Sequence, residues 1–84
     1  MERKLEEETL KWLERIKLRI KYVEARDEKG KEFLKNINAY ILDSEYFLRK
    51  RDLIKAFECV VWAWAWLEIG IDINVLEEHR TDDI

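Results

Sequence analysis

Chemistry has little to start from in this chain, which holds one histidine and one cysteine. His79 sits in the polar stretch Glu77-Glu78-His79-Arg80. A solvated tail residue is the plain reading there; a general base or metal ligand is the sharper one. Cys59 has no Cys-x-x-Cys partner, and one cysteine with one histidine falls short of a zinc pattern. As a nucleophile it needs an activating neighbour. Helical spacing places it among Trp and Ala instead, the setting of a small buried hydrophobe. Glu6, Glu7 and Glu8 diverge around a helix and read as partners of its N-terminal dipole. Asp43 and Glu45 are two apart and face apart. No Glu-x-x-His pair is present for a di-iron site, and no glycine-rich loop for a phosphate. The residue types therefore give no catalytic residue, no metal and no cofactor, which argues against an enzyme.

Basic residues make a second pattern. Lys11, Arg15 and Arg19 repeat every four residues, and Arg49-Lys50-Arg51 precedes the last long helix. An RNA- or anion-binding surface built from Arg15, Arg19, Arg49 and Arg51 is the alternative functional reading. Against it, basic side chains late in a helix complement its dipole. The net charge is −3, and residues 53–84 carry two basic and seven acidic groups, so nucleic acid is not the expected partner.

These residues hang on a small frame. Eighty-four residues make a single domain, 1–84, and no apolar run approaches the ~18 residues that span a bilayer. The start, Met1-Glu-Arg-Lys, lacks a signal-peptide pattern, and a lone cysteine suits a reducing cytoplasm. Glutamine is absent and Lys, Arg and Glu are dense, a composition expected of a thermophile. Hydrophobic periodicity predicts an all-α fold, an up-and-down three-helix bundle with a short C-terminal fourth helix. Helix one spans about 3–26, with Leu5, Thr9, Trp12, Leu13, Ile16, Ile20 and Val23 on its inner stripe, and Gly30 closes the break after it. Helix two spans about 31–50, and helix three about 52–69, with Asp52 as N-cap and Gly70 as stop. In the tail, 71–84, Asn74 and Glu77 have capping-box spacing for the fourth helix. Val60-Val-Trp-Ala-Trp-Ala-Trp66 also fits a strand template, but its alanines and the lack of a second strand favour helix.

Helix three is apolar nearly all round. Leu53, Ala56, Phe57, Val60, Ala63, Trp64 and Leu67 make one face; Cys59, Trp62, Trp66 and Ile69 make another. A helix of that kind is normally enclosed. Either the tail folds over the second face or another subunit covers it. Self-association as a dimer is the expectation, with Trp62, Trp66, Ile69 and Tyr46 as contact residues. Other protein partners are compatible with the same surface.

Helices two and three also carry a family likeness. Tyr40-x-x-Asp43-Ser44-x-Tyr46-Phe47, then Asp52 and Ala56-Phe57, then Ala63-x-x-Trp66-Leu67-Glu68-x-Gly70 resembles domain-of-unknown-function family 357, a small archaeal family. The likeness covers about residues 37–70. Ser44 stands where Ala is usual, Arg51 where the turn has Gly, Trp62 for Tyr and Glu68 for Asp. The resemblance implies a helical bundle from an archaeal cytoplasm and no known reaction or cofactor.

Overall fold

A computed structural model describes residues 2–79. It contains three helices, α1 (Glu2–Arg19), α2 (Glu28–Arg49) and α3 (Leu53–Asp72). A short 3-10 turn, Ile20–Tyr22, leads into strand β1 (Val23–Ala25), and β2 (Leu76–Glu78) follows α3. The inner stripes meet in one core, with Ile16, Ile37, Val60 and Leu67 fully buried. Ser44 lies in it too, its hydroxyl donating to the Ala56 carbonyl at 2.6 Å and tying α2 to α3. Residues 60–66 are helical, as their alanines required.

Three expectations fail at the ends of elements. Helix one stops at Arg19 rather than Arg26, because Ile20, Tyr22 and Val23 leave the helical path and 23–25 pair antiparallel with 76–78. Val23 still points into the core, so its place on the periodic stripe was right and its conformation was not. Gly30 is no break: Asp27 caps α2 by accepting from the Gly30 amide at 2.8 Å, and Gly30 is buried in the first turn. The fourth helix is replaced by β2. The remainder of that tail expectation, 80–84, lies outside the described residues.

Both helix ends around α3 use one device. After α2, the Asp52 amide donates to Phe47 O and the Arg51 amide to Leu48 O, with Arg51 at φ 62°. After α3, the Val75 amide donates to Gly70 O and the Asn74 amide to Ile71 O, with Asn74 at φ 63°. These are Schellman closures, which need a left-handed residue just past the cap. Asn74, expected to start a helix, therefore ends one, and Gly70 is not the stop. Arg51 takes the conformation that glycine adopts without strain. Arg51→Gly should raise stability by about 0.5–1 kcal/mol after loss of its exposed ion pair, as measured by urea denaturation.

Candidate functional site

The described residues hold no assembled catalytic group. Cys59 is half-buried, and burial, with the charges of Asp43 and Glu58, pushes its thiol pKa up, away from a nucleophilic thiolate. His79 follows β2, where its Nε2 lies 3.3 Å from Glu24 Oε2 and 3.6 Å from Glu77 Oε1. Glu24 and Glu77 are opposite each other in the strand pair, and Arg26 also reaches Glu77 at 3.0 Å. The Arg26 guanidinium relieves this like-charge cross-strand pair. The three ligand atoms lie within 4.8 Å of one another, the only such group among the described residues, on exposed side chains and a half-buried histidine. Sequence reasoning missed the grouping because Glu24 meets His79 only through the β1–β2 pairing.

The four arginines read as an anion surface are not brought together. Arg19 grips Glu78 with two nitrogens, at 2.6 and 2.9 Å, and Glu68 with a third at 2.6 Å. Its guanidinium also stands over the Trp64 ring, so it fastens the end of α1 to β2 and α3. Hydrogen bonding to Arg19 holds the Glu78 carboxyl below the usual range, and the same pairing raises the arginine's pKa. Arg51 reaches back to Glu6 at 2.7 Å, and this bond lowers the Glu6 pKa. Glu6 sits nine and thirteen residues before Arg15 and Arg19, or about 13 and 20 Å along α1. Arg15 stacks over Trp12, and Arg49 lies exposed at the end of α2.

Apolar surface is the feature that stands out. Along the outside of α3, Ile54, Val61, Trp62 and Ile69 are 68, 47, 54 and 48% exposed. Trp62 stacks on Tyr40 of α2. The described part of the tail does not cover this row: Leu76 turns inward beside Gly70 and Phe33. Trp66 differs from its expected partners. It packs edge-on against Phe33 at 4.8 Å, half-buried, and belongs partly to the core. Tyr46 is 47% exposed but lies one turn from Leu42 on another flank of α2. The four residues thus divide, with Trp62 and Ile69 on one surface and Tyr46 on a second.

Near that second surface a groove of about 990 Å³ runs between α1 and α2, lined on its α2 side by Leu42 but not by Tyr46. Leu10, Leu18 and Leu42 line it at 50, 57 and 65% exposure, above buried Leu13 and Ile41. No α3 residue lines it.

The comparisons with known proteins fit this architecture. The family model described as "Protein of unknown function (DUF357)" matches residues 4–76. This chain belongs to the DUF357 family. A crystal structure of protein AF1782 from the archaeon Archaeoglobus fulgidus, assigned to the same family model, is similar at 58% identity and a TM-score of 0.85. The similarity covers 93% of this chain and 97% of that one. No curated protein matches. The DUF357 match extends well beyond the 37–70 likeness: it takes in α1 and β1 and ends where β2 begins. The family description assigns no reaction, so it places no catalytic residue on the DUF357 fold. Among the described residues, no helix is long and apolar enough to cross a membrane.

Proposed function

We propose that this DUF357 chain is a non-enzymatic helical interaction module that self-associates through the outer face of α3. The exposed row Ile54, Val61, Trp62 and Ile69 carries the reading. Half-exposed side chains of this size leave on the order of 300–500 Å² of apolar surface, as much as the largest patch on an ordinary monomer. A stable interface takes about 800 Å² per partner, which this row and its flanks can approach. Trp62 is the anchor, since large aromatics carry much of the energy of such contacts. A reducing cytoplasm, which suits free Cys59, and a thermophilic source belong to the same proposal. Ion pairs linking separate elements, such as Lys17–Glu45, Arg19–Glu68 and Arg51–Glu6, support the latter.

The test is Trp62→Glu with Ile69→Glu, at exposed positions where charge leaves the fold intact. The variant should keep the parent's helical circular dichroism while its association through α3 weakens by ~100-fold or more in sedimentation equilibrium. An unchanged association constant would remove α3 from the reading.

A further inference from the structure

We infer that the α1–α2 groove is a second contact between copies of this chain, arranged about a two-fold axis near Leu18. The inference is independent of the α3 reading. Leu10, Leu18 and Leu42 expose half or more of their surface around the groove. The charges at its rim favour a second copy over an unrelated occupant. Lys17 is already satisfied across the groove by Glu45 at 2.7 Å. Glu14 and Lys21 also line it, and neither has an ion-pair partner among the described residues. They are seven residues apart on either side of Leu18, Glu14 four before it in α1 and Lys21 three after it in the 3-10 turn, and both line the groove. A two-fold axis there brings Glu14 of each copy to Lys21 of the other. The one free acid and one free base are thus used twice, as a self-complementary interface requires.

In such a pair the leucines of both grooves close on one another between four helices, with each α3 outside the seam. A foreign helix has no need of this symmetry. Two separate two-fold contacts, at the groove and at α3, carry assembly beyond a dimer.

Sedimentation equilibrium of the full chain and three variants tests the groove. Leu18→Glu with Leu42→Glu should hold the limiting mass at high concentration to a dimer joined through α3, while the α3 variant should stop at a dimer joined through the groove. Glu14→Lys should weaken that pairing about tenfold, and Glu14→Lys with Lys21→Glu should restore it, because the swap rebuilds the same pairs in reverse. Groove variants that assemble like the parent would overturn the inference while leaving α3 untouched. A double swap that stays as weak as Glu14→Lys would overturn the two-fold arrangement.

Discussion

Gly30→Ala should cost about 3 kcal/mol of folding stability, an effect read by urea denaturation. Nothing in the local conformation demands glycine, for its φ is negative. The demand comes from across the molecule. A Cβ at position 30 would run into the Val75 carbonyl oxygen and lie 3.1 Å from Ala25 Cα and Cβ. That oxygen is backbone, held by the Arg26 amide at 2.9 Å, and the Val75 amide is tied in turn to Gly70 O. The whole turn after α3 must therefore move, taking the β1–β2 pairing with it. Helix propensity returns about 1 kcal/mol to alanine, which the clash outweighs. Gly70→Ala meets side chains rather than backbone, Leu76 Cδ1 at 2.5 Å, Leu76 Cγ at 2.8 Å and Phe33 Cδ2 at 3.0 Å, so its cost should be smaller than that of Gly30→Ala.

Leu67→Ala should be as damaging, by about 3–4 kcal/mol, with an unchanged denaturant slope. Leu67 is 0% exposed on the inner side of α3, within the cluster that holds Ile16, Ile37 and Val60. Removing its isobutyl group loses transfer energy and leaves a cavity that three packed helices cannot readily close. Ile54→Ala, on the same helix but 68% exposed, should cost well under 1 kcal/mol in the same assay. The contrast separates the two faces of α3 by energy.

The helical stripes were legible in the sequence because burial imposes a period: Thr9, Leu13 and Ile16, then Phe33, Ile37 and Ile41, lie inside as their spacing implies. What escaped was non-local. Strands of three residues leave no period, and Val23 happens to be in phase with the helix before it. Gly30 and Gly70 resemble stops in sequence, yet both are buried helical residues kept small by the turn and strand that return over them. The left-handed positions fell to Arg51 and Asn74, where sequence gives a weaker signal or none. At the candidate surface, Trp62 and Ile69 stand exposed as expected of a contact face, while Trp66 leans into Phe33. Leu18 and Leu42 are exposed on separate helices, and only the packing of α1 beside α2 brings them to one groove.

Sedimentation equilibrium of the unaltered chain over a wide concentration range tests the central claim most directly. Self-association predicts a mass that rises with concentration above the 10.3 kDa of one copy. A mass of 10.3 kDa at every concentration, with Trp62 as open to quenchers at the top of the range as at the bottom, would contradict it.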